Sequence, residues 1–217
     1  MFSTNPGSLQ SDLYRKPSNG GRTEELLVHT GSNATPTDIS PDGTWLVYST
    51  TEGTANEALW LLPLTGEHKP VKYLDSRFNE KHGQFSPDGK WMAYTSDESG
   101  QTQVYVQPIP ATGAKRQVSA NGGSRPRWRR DGNELFYIST ESKLMAVPAK
   151  LGPSGYDFGA PQQLFDNALP LTAGISDFGY QPTADGQKFL AVLPEEGAAS
   201  AGQSVTVLMN WNPDAKN

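Results

Sequence analysis

Apolar residues along this chain fall into short runs of about four to eight, each closed by Gly, Pro, Asn or Asp. Trp91-Met92-Ala93-Tyr94 is apolar at both parities, the pattern of a strand covered on both faces. Just before it stands Phe85-Ser86-Pro87-Asp88-Gly89. Pro presets φ, Asp bonds nearby backbone and Gly accepts φ > 0, so this segment predicts a tight turn between two strands. The unit recurs. Ser40-Pro41-Asp42-Gly43 leads into Trp45–Tyr48, Asp131-Gly132 into Leu135–Tyr137, and Asp185-Gly186 into Phe189–Val192. The aromatics after these turns, Trp45, Tyr48, Trp91, Tyr94, Phe136, Tyr137 and Phe189, are the expected core. The Asp-Gly pairs are 46, 43 and 54 residues apart.

A period of that size with several strands per unit predicts an all-β fold, a β-propeller with four-stranded blades. A second signature follows each turn: an apolar residue, a large one, two more, then Pro. Its copies end at Pro17, Pro63, Pro108 and Pro148 and read as third strands closed by proline. Leu27, Tyr73 and Val118 stand ten residues after the first three prolines and mark fourth strands. After Pro148 the fourth strand, Gln163-Leu164-Phe165, comes later, with extra residues in the Gly- and Pro-rich stretch Leu151–Pro161. The expected organisation is a leader over 1–11, a half blade over 12–28, and complete blades over 35–74, 80–118 and 123–165. An incomplete blade over 175–211 and a tail over 212–217 follow. That is about four blades' worth of strands, with the first and last blades incomplete. The turn belonging to the first half blade would fall before Met1, so the chain reads as a truncated array.

Composition narrows the picture. The 22 Gly and 17 Pro leave Asn133–Val147 as the longest stretch free of both, which disfavours long helices. The net charge of −5 argues against a general nucleic-acid role. No apolar run approaches the ~20 residues of a membrane-spanning helix. Met1–Gln10 has neither the basic start nor the apolar core of a signal peptide. The absence of Cys removes thiolate metal sites and is silent about compartment.

The segments Phe85–Ser96, Asp97–Gly100, Val104–Pro108 and Gly122–Trp128 resemble the TolB-type propeller repeat, the WD-like repeat carrying Ser-Pro-Asp-Gly. More narrowly, 12–211 resembles the C-terminal propeller region of acidobacterial serine/threonine kinase-like proteins, down to a closing strand, here Val207–Trp211. The resemblance implies a bacterial propeller module, part of a larger protein with six or more blades. It also implies an extracytoplasmic setting, such as the periplasm. It does not imply one function, because the fold hosts many.

No complete catalytic motif is present. The Asp-Phe-Gly triplets at 157–159 and 177–179 lack the other kinase motifs and read as loop. TolB-like propellers also occur in prolyl-oligopeptidase-type enzymes, but the catalytic α/β domain of those is not in this sequence. The strand before each Asp-Gly turn is expected to line a central channel. Strict alternation puts Asp38, Glu80, His82, Gln84, Arg125, Arg127, Asp177 and Gln181 on one polar face, a ligand-binding candidate. Glu80 and His82, with Asp177 or Asp38, carry the donor types for a divalent metal ion. Arg125, Arg127, Arg129 and Arg130 carry the donors for an anion.

Two functions are consistent with this. The first is an interaction module binding a protein, peptide or small ligand at its channel or loop face. The alternative is a metal-assisted hydrolase of an ester, lactone or phosphoester, with Glu80, His82 and Asp177 at the metal and Arg125 or Arg127 on the oxyanion. The unequal strand counts at the two ends suggest a homodimer formed by strand exchange, the alternative being a closed four-bladed ring in which Leu26–Val28 complete the last blade within one chain.

Overall fold

A computed structural model describes residues 2–4, 11–17, 23–52, 56–165, 179–192 and 205–208. These hold only antiparallel sheets, stacked in chain order as the blades of an incomplete β-propeller. The first blade is β1 (Phe2–Thr4), β2 (Asp12–Arg15) and β3 (Glu25–Val28). The second is β4 (Asn33–Ile39), β5 (Trp45–Glu52), β6 (Asn56–Pro63) and β7 (Val71–Lys72). The third is β8 (Glu80–Phe85), β9 (Trp91–Ser96), β10 (Gln103–Pro108) and β11 (Arg116–Gln117). The fourth contains β12 (Ser124–Trp128), β13 (Glu134–Ile138), β14 (Leu144–Gly152), β15 (Gly155–Phe158) and β16 (Gln162–Gln163). The fifth is β17 (Tyr180–Pro182), β18 (Phe189–Val192) and β19 (Val205–Leu208).

Each Asp-Gly turn is held by one recurring network. In the third blade Ser86 N–H donates to Trp91 O and Gly89 N–H to Ser86 O, both at 2.8 Å. Asp88 Oδ1 accepts the Lys90 N–H at 3.1 Å, and Ser86 Oγ accepts the Trp91 N–H at 3.0 Å. Gly89 has φ 71°, and Gly43, Gly132 and Gly186 match it within a few degrees, the left-handed conformation that favours glycine. In the fourth blade Arg129 stands where serine stood, and its guanidinium grips Asp131 at 2.8 and 2.9 Å.

The core lies between blades. Leu13, Leu46 and Leu62 fill the first interface, and Val47, Leu59, Met92 and Tyr94 the second. Ala93, Val106, Trp128 and Tyr137 fill the third, and Phe136, Ile138 and Phe189 the fourth. Successive residues of one strand thus pack on different neighbours, which is why these strands are apolar at both parities. The outer strands β7, β11 and β16 have two residues each. One further bond lengthens each, from the N–H of Tyr73, Val118 or Leu164. Short outer strands present little unpaired backbone.

The structure departs from the sequence reading at four places. Phe2–Thr4, read as leader, pairs with β2, so the first blade has three strands. Pro148 does not end its strand. β14 runs on to Gly152 and turns into β15, because Pro148 lies where β14 leaves β13 and takes β15 as partner. The Leu151–Pro161 insertion is therefore largely a hairpin, and Asp157-Phe158 of the first Asp-Phe-Gly triplet is strand rather than loop. Trp45 is not core but 37% exposed. The closing strand is described only over Val205–Leu208, and Trp211 lies outside the described residues.

Candidate functional site

The inner strands β4, β8 and β12 do not alternate strictly. Each carries a register shift, between Pro36 and Asp38, Lys81 and Gln84, and Ser124 and Arg127. His82 and Arg125 sit at these bulges with φ 57°, and Gly179 occupies the matching position before the fifth blade with φ 69°. Positive φ is uncommon for residues other than glycine and marks a bulge that re-aims its neighbours. At the same position the second blade has Pro36, which cannot adopt positive φ.

The bulge splits the polar face expected from alternation. Gln84 pairs with Ala93 and faces the fourth blade, whereas Glu80 pairs with Ser96 on the face carrying Met92 and Tyr94, toward the second. His82 lies with Thr95 on the fourth-blade side, its Nδ1 3.2 Å from Thr95 Oγ1. Glu80 and His82, both buried, therefore sit on opposite faces of one sheet. Glu80 accepts a 2.7 Å hydrogen bond from Ser76 Oγ, and burial raises its carboxyl above the usual range despite that bond.

Residues four before the first two Asp-Gly turns act as staples between blades. Asp38 Oδ2 accepts the Phe85 N–H at 2.9 Å, and Gln84 Oε1 accepts the Trp128 N–H at 2.9 Å. The next member of the series, Arg127, has no acceptor atom, and its counterpart Pro182 has no N–H. That joint uses another contact: the Tyr180 hydroxyl donates to Arg125 O at 2.8 Å. The Arg125 N–H reaches back to Thr95 Oγ1 at 3.2 Å, so this bulge residue ties three blades together. Burial pushes the Asp38 carboxyl up to about 6, partly offset by the Ile39 and Phe85 N–H groups and the Arg127 charge. Burial likewise pulls the Arg127 guanidinium below its ordinary value.

Of the remaining candidates, Gln181 is exposed, and Asp177 lies outside the described residues. No group of three His, Asp or Glu able to hold a metal is formed among the described residues. The Glu80–His82 pair read from the sequence does not fit a shared ion, because the bulge separates the two side chains. Arg129 does not join an anion cluster either, since Asp131 and Glu134 hold its guanidinium.

A feature missed in the sequence lies on the turn side. Between the second and third blades, Trp45, Leu61, Phe85 and Ile109 wall a groove of about 230 Å³, rimmed by Asp42 and Asp88. Between the third and fourth blades, the β14–β15 hairpin lays Tyr156 against Trp91 and Trp128, ring centroids 5.8 and 4.7 Å away. The only sequence signal was the extra length before β16, which fixed the insertion but not what it packs on.

Residues 6–156 match the TolB beta propeller domain, and the chain belongs to that family. Its fold is shared with the TolB assigned to Agrobacterium tumefaciens (20% identity, TM-score 0.60). That match covers 75% of this chain and 59% of the other. The TolB of Acinetobacter baumannii matches at 19% identity and TM-score 0.66, covering 87% of this chain and 44% of the other. An oligogalacturonate lyase in complex with manganese matches at 15% identity and TM-score 0.54, covering 79% and 48%. The chain thus spans about half the length of these proteins, and the likeness shows the fold. No curated protein matches it in sequence.

Proposed function

We propose that the chain is a non-catalytic interaction module that binds a protein or peptide on the face carrying its Asp-Gly turns. The observation that carries this reading is the use made of the inner strands. Asp38 and Gln84, expected to offer polar groups to a ligand, bond the backbone of the next blade instead. The turn side, in contrast, presents an open groove walled by large apolar side chains, the kind of surface that proteins use for recognition. The TolB family match supports the reading, and the resemblance to relatives that act outside the cytoplasm supports an extracytoplasmic setting. No helix among the described residues is long and apolar enough to cross a membrane.

Against the metal-assisted hydrolase stands the placement of Glu80 and His82 on opposite faces of one sheet. One experiment tests both readings. Selection of a random peptide library on the folded chain is expected to enrich binders that survive EDTA. Esters, lactones and phosphoesters with Mg²⁺, Mn²⁺ or Zn²⁺ are expected to turn over no faster than in buffer. Failure to enrich any peptide, or metal-dependent turnover abolished by His82→Ala, overturns the proposal.

We also propose that two copies associate. The strand exchange expected from the sequence counted two strands at the start of the chain, and β1 makes them three. The better reason is packing. Leu27 and Phe189 face inward in the first and fifth blades, while their neighbours Leu26 and Leu190 are 37% and 42% exposed. A second copy laid against these end sheets would cover them.

A further inference from the structure

The grooves on either side of the third blade are built from matching positions. Trp45, Leu61, Phe85, Gly89 and Ile109 in one stand where Trp91, Val106, Trp128, Gly132 and Ala149 stand in the other. The second groove is filled by the chain itself. Tyr156 is only 3% exposed and lies edge-on to Trp91, and its hydroxyl would come 3.0 Å from a Cβ placed on Gly132. The hairpin backbone comes close to the Trp91 ring at Gly155, where a Cβ would fall 2.5 Å from the indole. Trp91 is thereby partly buried and packs against the interface, whereas its counterpart Trp45 stays 37% exposed over an open groove. That groove, about 230 Å³, exceeds the roughly 150 Å³ that accommodates a benzene ring in an apolar cavity.

We infer that the groove between the second and third blades binds a tyrosine side chain on an extended segment of a partner protein, just as Tyr156 occupies the next groove. This rests on the interaction-module reading and names its site. The chemistry selects tyrosine. Trp45, Phe85, Leu61 and Ile109 supply aromatic and aliphatic walls, against which a ring gains both burial and edge-to-face contact. Asp42 and Asp88 rim the groove as Asp88 and Asp131 flank Tyr156. Carboxylates there favour a neutral hydroxyl that donates and repel an anion. The Tyr156 phenol shows the effect, pushed up to about 12 by burial first and then by those two carboxylates. Phosphotyrosine is therefore excluded.

The probe is a fluorescently labelled peptide, Ser-Gly-Tyr-Asp-Phe-Gly, copied from residues 154–159. Its anisotropy with the intact chain is expected to rise to saturation. Replacing its tyrosine by alanine or phosphotyrosine is expected to weaken binding about tenfold or more, and Trp45→Ala in the protein to do the same. Trp45 is partly exposed, so the variant should keep the parent's circular dichroism, and the altered peptides report on the unaltered protein in any case. No saturable binding, or binding indifferent to the tyrosine or to Trp45, overturns the site. Library peptides that bind a Trp45→Ala variant undiminished would sink this groove while leaving the interaction module standing.

Discussion

Gln84 shows how much one side chain decides here. Its amide oxygen accepts the Trp128 N–H across the blade interface at 2.9 Å. Gln84→Ala strands that donor in a buried setting, and the expected cost is about 1–3 kcal/mol in a denaturant titration. A loss of under a few tenths would mean that water replaces the bond. Asp38 makes the same staple with a carboxyl held at about 6, against about 3.9 for an unperturbed Asp. Between these values the folded chain binds more protons than the unfolded one. Its contribution to stability is therefore greatest at or below about pH 4 and declines as pH rises through 6. Asn at this position keeps an acceptor and loses the charge. Asp38→Asn is expected to match the parent near pH 4 and exceed it at pH 8 by on the order of 2 kcal/mol. Melting curves that stay parallel across that range would refute the shift.

At the scale of elements, the β14–β15 hairpin is the departure from a regular four-stranded blade. It works as a strap: Tyr156 and Phe158 stack on each other and lean on Trp128, with Tyr156 also meeting Trp91 of the neighbouring blade. Gly155 permits the contact, having φ 116° and no room for a Cβ beneath Trp91. Gly155→Val should lift the strap, costing about 2 kcal/mol and shifting tryptophan emission to the red as Trp91 and Trp128 meet water. Unchanged emission and stability would show that the strap is not held through this residue. The inner strands teach the complementary lesson. Their bulges lie near mid-strand, so residues before and after the bulge face different blades, and a polar set continuous in sequence is divided in space.

For the whole molecule the open question is what covers the two end sheets. Leu26 and Leu190 project from faces with no neighbouring blade among the described residues. Scattered exposed leucines are ordinary, but a sheet normally buries a second layer against its apolar face. Light scattering is expected to give twice the chain mass of 23.5 kDa. A mass of one chain, constant on dilution and concentration, would rule the association out.

The sequence alone determined the repeat, the turns and the class of fold, because those are local. Pro-Asp-Gly fixes backbone torsions within four residues, and strands covered on both faces write their burial directly into runs such as Trp91–Tyr94. It also placed the insertion after Pro148, since an interval of 54 against 43 and 46 is visible by counting. Tertiary structure alone decided which way the inner-strand side chains point. A bulge adds one residue to a strand of period two, so everything beyond it changes face, and positive φ at Arg125 has no signature in its identity. It also decided the fates of Trp45 and Trp91. They hold the same place in the repeat, and only the hairpin that folds back from the fourth blade covers one and leaves the other open.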